Sequence, residues 1–167
     1  VLTLLYNTPY NIAIESINSV RKSSYPNIQH IIIDDCTSNR NTVELVRQWI
    51  LNHEYKCEFI EHERNVGIVK SANQGIELAK GKYLFYCCDD ILLPDRIADD
   101  VAIFETLGKD YGVLYSIAQY IDENGKKLAK IFPSFDSSLS PETMEELLFY
   151  ANPICAPAAT TRLDVIR

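Results

Sequence analysis

Residues Gly81–Arg96 read GKYLFYCCDDILLPDR, and the fold follows from how that stretch is parsed. Tyr83–Cys88 is an unbroken apolar and aromatic run, too short for a stable helix and suited to a strand buried on both faces of a parallel sheet. Asp89 and Asp90 fall where such a strand leaves the sheet. In open α/β sheets ligands bind at the carboxyl ends of strands, so this is a functional address. Two adjacent carboxylates there repel each other and lose hydration, a cost a cation offsets. Oxygen-only ligands select a hard ion, Mg²⁺ or Mn²⁺, which brings phosphate with it. The same pair also suits capping of the next turn, with Pro94 and Asp95 opening a helix.

Outward from that stretch, strands alternate with helices. Val1–Tyr6 (VLTLLY) reads as a first buried strand, broken by Asn7-Thr8-Pro9. Pro9–Lys22 has the apolar spacing of a helix, with Ile12, Ile14, Ile17 and Val20. Gln29–Ile33 (QHIII) is a second strand ending in Asp34-Asp35. Thr42 is positioned to cap a helix to about Asn52, with Val43, Val46, Trp49 and Ile50 inward. Cys57–Ile60 is a third strand. Asn65-x-Gly67 suits a loop needing an unusual backbone angle. Ile68–Lys80 is a helix with Ala72, Ile76 and Ala79 inward and Gly81 as its stop. Asp95–Leu107 is a further helix, and Tyr111–Ile121 a strand bent at Ser116. Asp122-Glu123-Asn124-Gly125 turns a hairpin back through Lys127–Ile131. Ser137–Pro141 is a loop, Pro141–Tyr150 a short helix and Asn152–Thr160 an apolar loop, with one more element beginning at Thr160. Early βαβ units followed by clustered strands describe a Rossmann-type half-sheet with an irregular second half.

Composition narrows the partners. A chain of 167 residues predicts one domain. The net charge of −7 argues against nucleic acid or an anionic membrane as the main partner. No apolar run approaches the ~18 residues of a membrane span, and no signal-peptide pattern opens the chain. Cysteines 36, 57, 87, 88 and 155 lack metal-type spacing and read as reduced thiols of a cytoplasmic protein, with the inner face of the membrane as a peripheral location. Cys87 and Cys88, neighbours in a strand, point to opposite faces. His30, His53 and His62 show no metal spacing and read as surface or strand-end residues. Val1 opens inside an apolar run and Arg167 closes without a stop signal, so a longer polypeptide is expected.

Parallel strands bring Tyr6-Asn7, Asp34-Asp35 and Asp89-Asp90 to one sheet edge. An aromatic to stack on a base, a carboxylate to accept a base N–H and an acidic pair for a metal-diphosphate fit one nucleotide. Neither GxGxxG nor GxxxxGK[ST] occurs, which disfavours dinucleotide and P-loop enzymes.

The order LLYN, IIIDDCTSN, ERNVGIVKSANQGIELAKGKYLFY and CCDDILLPDRI resembles the family 2 glycosyltransferases of GT-A fold, the small spore-coat-type members above all. The likeness runs from Val1 to about Ala129. It implies a GT-A, Rossmann-like nucleotide-diphospho-sugar transferase fold, an α/β fold with a mostly parallel central sheet flanked by helices, C-terminally truncated. Residues 1–107 would form the nucleotide-binding half and 108–167 the start of the acceptor side. By resemblance Tyr6 and Asn7 lie near the base, Asp35 hydrogen-bonds a uracil-type ring with Asp34 beside it, and Asp89 reaches the ribose. Asp90, with Asp89, would hold Mg²⁺ or Mn²⁺. Asn65, Gly67, Lys70 and Asn73 line the nucleotide side, with Lys70 or Arg64 on the diphosphate. Lys70 equally suits a solvated helix face, and Asn73 a local hydrogen bond.

Two departures stand out. Cys87 occupies the first position of the family's Asp-x-Asp-Asp, and Leu4-Leu5 replace the threonine or proline common before the tyrosine. An inverting transfer also needs a general base. The setting of Asp164, Arg162-Leu163-Asp164, does not match the family's downstream acidic motif, so the base is expected beyond Arg167. The implied activity is transfer of a sugar from a nucleotide-diphospho-sugar, UDP-sugar by default and dTDP-sugar open, to a saccharide or lipid-linked acceptor in surface polysaccharide or glycoconjugate synthesis. A non-catalytic sugar-nucleotide-binding module is the alternative. A sugar-phosphate nucleotidyltransferase would carry a glycine-rich basic segment where Asn7–Asn11 has none.

Overall fold

A computed structural model describes residues 1–122, 124–132, 140–150 and 154–167. Strands β1 (Leu2–Leu5), β2 (Ile31–Asp34) and β3 (Glu58–Glu61) pair in parallel, separated by helices α1 (Tyr10–Arg21) and α2 (Arg40–Asn52). Helix α3 (Ile68–Leu78) leads into β4 (Tyr83–Phe85), and α4 (Arg96–Thr106) into β5 (Val113–Tyr115). A hairpin, β6 (Ala118–Ile121) and β7 (Lys127–Phe132), precedes α5 (Pro141–Tyr150). A 3₁₀ turn (Ala156–Ala158) then enters β8 (Ala159–Arg162) and α6 (Leu163–Ile166). A parallel bridge from Leu2 to Tyr86, with the Cys87 N–H donating to the Leu2 carbonyl at 3.0 Å, sets β4 beside β1. The strand order therefore reads β3-β2-β1-β4-β8-β5, with β8 antiparallel to both neighbours.

Alternation along the strands sorts the core into two layers. Ile31, Ile33 and Leu2 face α3, packing with Ala79, Leu84 and Leu163. Ile32 and Leu5 face the other way, against Ala13 and Ile17 of α1 and Val46 of α2, with Trp49 at the margin. Beneath β4, Val20, Phe85, Cys87, Leu92 and Ile97 form a third cluster. Burying apolar surface on both sheet faces supplies the main favourable term of this fold.

Several local expectations are corrected. Asn39, not Thr42, caps α2, its side chain accepting from the Asn41 N–H at 3.2 Å, so the helix starts at Arg40. The buried face of α3 is Ser71 and Gly75 rather than Ala72. A Cβ on Gly75 would fall inside the Leu2 side chain, so the helix lies directly on β1. The helix ends at Leu78, with Ala79 already extended, and Gly81 is not its stop. Tyr111–Ile121 is two strands in different sheets, split at Ser116, whose N–H donates to the Ala158 carbonyl at 2.9 Å.

The larger correction is β8, which lies in the segment read as an apolar loop and the start of one more element. It inserts between β4 and β5. Arg162 fixes it, donating from Nε to the Tyr111 carbonyl (2.7 Å) and from Nη2 to the Phe104 carbonyl (3.2 Å), over the rings of Tyr83 and Phe104. The side chain thereby satisfies carbonyls at the carboxyl end of α4. In the hairpin turn, Asp122 Oδ1 accepts from the Asn124 and Lys126 N–H groups and Gly125 has φ 76°. Glu123, most of the Ser137–Pro141 loop, and Asn152 and Pro153 lie outside the described residues.

Candidate functional site: a cavity at the carboxyl ends of β1, β2 and β4

The register Leu5↔Asp34 and Leu2↔Tyr86 brings the ends of β1, β2 and β4 to one edge. Just beyond, Asn7 (φ 54°) and Cys36 (φ 63°) adopt left-handed backbone, turning each chain sharply away and leaving Tyr6 and Asp35 at the edge. The cavity there holds about 390 Å³ and is lined by Leu4, Leu5, Tyr6, Thr8, Asp35, Asn65, Gly67, Ile68, Ser71, Cys88 and Asp89. Tyr6 is 52% exposed at its rim, free to stack on a ring. A smaller cavity of about 150 Å³, with Val1, Gln29 and Lys82, opens at the opposite ends of the strands, away from these groups.

Asp35 is 4% exposed and nearly saturated. Its Oδ1 accepts from His62 Nδ1 and from the Val66 N–H, each at 2.8 Å, and Oδ2 accepts from the Gly67 N–H at 2.8 Å. A carboxylate offers about four acceptor positions, so one remains, on Oδ2. Burial pushes the Asp35 carboxyl up, but hydrogen bonds from His62, Val66 and Gly67 outweigh it and hold the group below its ordinary value. Gly67 can serve because its φ of 89° and ψ of 154° are open only to glycine; it is also the N-cap of α3. His62 is a strand-end residue, as read from the sequence, directly after β3, and there it stands behind Asp35 with its Nε2 2.6 Å from Gln74 Oε1. The Asp35 hydrogen bond, opposed by burial and aided by Gln74, raises its basicity.

Of the residues expected on the nucleotide, Tyr6, Asp35, Asn65, Gly67 and Asp89 line this cavity, and Asn65 also donates from Nδ2 to the Asp35 carbonyl at 3.2 Å. Asp34 turns inward, accepting from the Thr37 N–H (3.0 Å) and hydroxyl (2.5 Å) with Arg40 at 3.5 Å. Asn7 bridges loops, its N–H donating to Thr37 Oγ1 (3.0 Å) and its Oδ1 accepting from the Ser38 N–H (2.9 Å). Arg64, Lys70 and Asn73 are exposed and outside the lining. Thr8, Ile68, Ser71 and Cys88 were not expected there. Only Cys88 carried a signal, as the residue opposite in facing to Cys87. Cys87 is fully buried against Ser16 (3.2 Å), and so the first position of the acidic motif is turned into the core.

Asp89 also lines a second cavity of about 330 Å³ with Asp90, Arg96, Ser116, Ile117 and Gln119. Tyr111, Tyr115 and Tyr120 do not line it. Among the described residues no hydrogen bond or salt bridge reaches the carboxylate of Asp89 or Asp90, whereas Asp34, Asp35 and Asp100 are all engaged. Burial, then the neighbouring Asp89 charge, raises the Asp90 carboxyl. No group of three His, Cys, Asp or Glu among the described residues would hold a metal unaided. Two unpaired carboxylates fit a hard cation whose other ligands are phosphate oxygens and water. Asp164 is exposed and lines neither cavity.

Fold and site define an α/β protein of GT-A type, with its ligand edge at the switch between β1 and β4. The chain belongs to Glycosyl transferase family 2, whose profile matches residues 1–163. It is 31% identical over 134 residues to an uncharacterized glycosyltransferase of Methanocaldococcus jannaschii, covering 80% of this chain and 46% of that one. The chain thus spans about half that relative's length. Staphylococcus aureus TarS, residues 1–349, shares the fold at a TM-score of 0.67 and 18% identity, over 99% of this chain and 47% of that one. TarS has been solved with UDP and with UDP-GlcNAc. A Pyrobaculum calidifontis mannosyltransferase with GDP-Man and Mn²⁺ matches at 0.60 and 18% identity, over 71% of this chain and 34% of that one. No helix among the described residues is long and apolar enough to cross a membrane.

Proposed function

We propose that these residues form the donor-binding part of an inverting glycosyltransferase that moves a sugar from a nucleotide-diphospho-sugar, UDP-sugar favoured, to an acceptor hydroxyl. The observation that carries this is the single acceptor position left on Asp35 Oδ2, inside a cavity that runs to Asp89. A ring N–H, as on uracil, thymine or guanine, satisfies it; cytosine presents a lone pair there and would leave two acceptors opposed. Tyr6 would stack on the base and Asn65 would line its path, with Asp89 reaching the ribose.

Asp90, with Asp89, would hold Mg²⁺ or Mn²⁺, which when bound offsets charge on the diphosphate. The second cavity, sharing Asp89, would receive the acceptor. There the hydroxyl oxygen bonds to the anomeric carbon as the carbon–oxygen bond to the diphosphate breaks, and the proton passes to a base. The only carboxylates in that described lining are Asp89 and Asp90, and both are committed to the donor in this reading. Transfer by these residues alone is therefore expected to be weak.

Calorimetric titration of UDP with Mn²⁺ tests the reading. Binding should need the metal, exceed that of CDP, and fall roughly tenfold or more in Asp90→Ala. Equal binding of UDP and CDP by folded protein, or of UDP by wild type and Asp90→Ala, would refute it.

A further inference from the structure

The cavity carries a charge problem. Its described lining includes two carboxylates, Asp35 and Asp89, and no Lys, Arg or His; the cation proposed on Asp90 and Asp89 would answer the second, which leaves Asp35 facing an anionic ligand. The sequence-level candidates for a counter-charge, Arg64 and Lys70, are exposed and outside the lining. One basic group stands directly behind it. His62 has a side chain 13% exposed, and each ring nitrogen meets an oxygen: Nδ1 meets Asp35 Oδ1 at 2.8 Å and Nε2 meets Gln74 Oε1 at 2.6 Å. The Asp35 oxygen calls for an N–H at Nδ1 in either charge state, and with Gln74 turned to present Oε1 a second N–H at Nε2 makes the ring an imidazolium. Gln74 is placed for this by α3, on the turn after Ser71, so the relay spans the β3–α3 loop, the end of β2 and the helix over the cavity.

We propose that His62, acting through Asp35, is the positioning residue that makes this cavity take a nucleotide: it orients the carboxylate so that the open acceptor position on Oδ2 faces the base, and its charge offsets the carboxylate that an anionic ligand must approach. This rests on the donor-binding reading above. Asp35 keeps two backbone donors without His62, but Oδ1 then has a free position, and the carboxylate can rotate and present the wrong lone pair. In the resting molecule the charged form of His62 is favoured by contact with Asp35, by Gln74, and by the charge of Asp34 behind it. Glu61 on the same strand is tied up by Arg40 and Arg47. Since the charged form binds the nucleotide better, linkage requires the nucleotide to favour the charged form in return. UDP binding should therefore draw a proton from solvent as His62 begins to lose its own.

The test is calorimetry of UDP with Mg²⁺ between pH 6 and pH 8.5, in buffers of different ionisation heat, on wild type, His62→Ala and His62→Asn. Asparagine places an N–H where Nδ1 stands but carries no charge. Wild type should take up protons on binding and weaken as pH rises. His62→Ala should bind roughly tenfold more weakly near pH 6. His62→Asn should recover part of that loss, because Asp35 is again oriented, yet show no proton uptake of its own. The terminal phosphate of UDP titrates near roughly pH 6 in every sample, so the difference between wild type and His62→Asn is the quantity read. Parallel profiles for wild type and His62→Asn, or full affinity in His62→Ala, would overturn the role of His62 while leaving the donor site standing. Should His62→Ala not fold, wild type against His62→Asn decides alone. Wild type that ignores UDP at every pH would overturn both readings.

Discussion

Two neighbouring aspartates at the end of β2 have opposite fates, and a single peptide bond separates them. Strand alternation sends Asp34 inward, where Thr37 and Arg40 consume it, and leaves Asp35 facing the cavity with one acceptor position open. That contrast makes Asp35→Asn informative. The amide oxygen is drawn to the side with two donors, His62 and the Val66 N–H, which turns the NH₂ toward the base. UDP affinity should drop roughly tenfold and the preference over CDP should vanish, by competition titration. An unchanged UDP-to-CDP ratio would show that Asp35 does not read the base. The sequence discloses such residues unevenly. Tyr6, Asp35 and Asp89 were legible because strand ends followed by Asn or Asp are easy to place. His62 and Gln74 were not, since a histidine in a polar loop acquires its role only when β2 and α3 meet around it.

At the scale of the element, an apolar run for β1, β-branched residues for β2, helical spacing for α1 and the Pro94-Asp95 start for α4 placed these four nearly as the structure has them. What failed was detail that packing decides. The stripe on α3 is displaced by one residue because the helix approaches β1 too closely for a side chain at Gly75. A Gly→Ala change within a helix ordinarily stabilises by about 1 kcal/mol. Here the added methyl meets Leu2, itself fully buried in the core, and overpacking of that kind costs about 1–3 kcal/mol. Gly75→Ala should therefore show no gain and a net loss, read as a lower urea midpoint at unchanged slope. A raised midpoint would mean that Leu2 can move aside. Strand β8 was illegible for a different reason. Its Ala-Thr-Thr-Arg has little apolar signal, and it is a strand because two partners far away in sequence leave a slot between them.

For the molecule as a whole, stability and acidity are coupled through His30. This residue is 2% exposed, linking Tyr55 OH at its Nδ1 (2.7 Å) to Thr3 Oγ1 at its Nε2 (2.9 Å), and the Thr3 hydroxyl donates on to the Cys87 carbonyl (2.6 Å). Burial pushes its pKa down to about 3. The unfolded chain, with an ordinary histidine near 6.5, then binds the extra proton between those values. His30 thus contributes stability fully present above about pH 6.5 and lost as pH falls toward 3, roughly 1.4 kcal/mol per pH unit. The raised His62 runs the other way, losing its contribution as pH climbs through its folded value. Urea unfolding of wild type should weaken from pH 6.5 to pH 4.5 more steeply than that of His30→Gln; matching slopes would show that His30 is not the group responsible. The insertion of β8 has a further consequence, in time rather than energy. On a ribosome, β4 and β5 emerge long before the four residues that join them, and each waits with an unpaired edge. The central sheet is closed only when residues 159–162 arrive, so folding of this half is held open until then, and those two waiting edges are where a nascent chain would need protection from its neighbours.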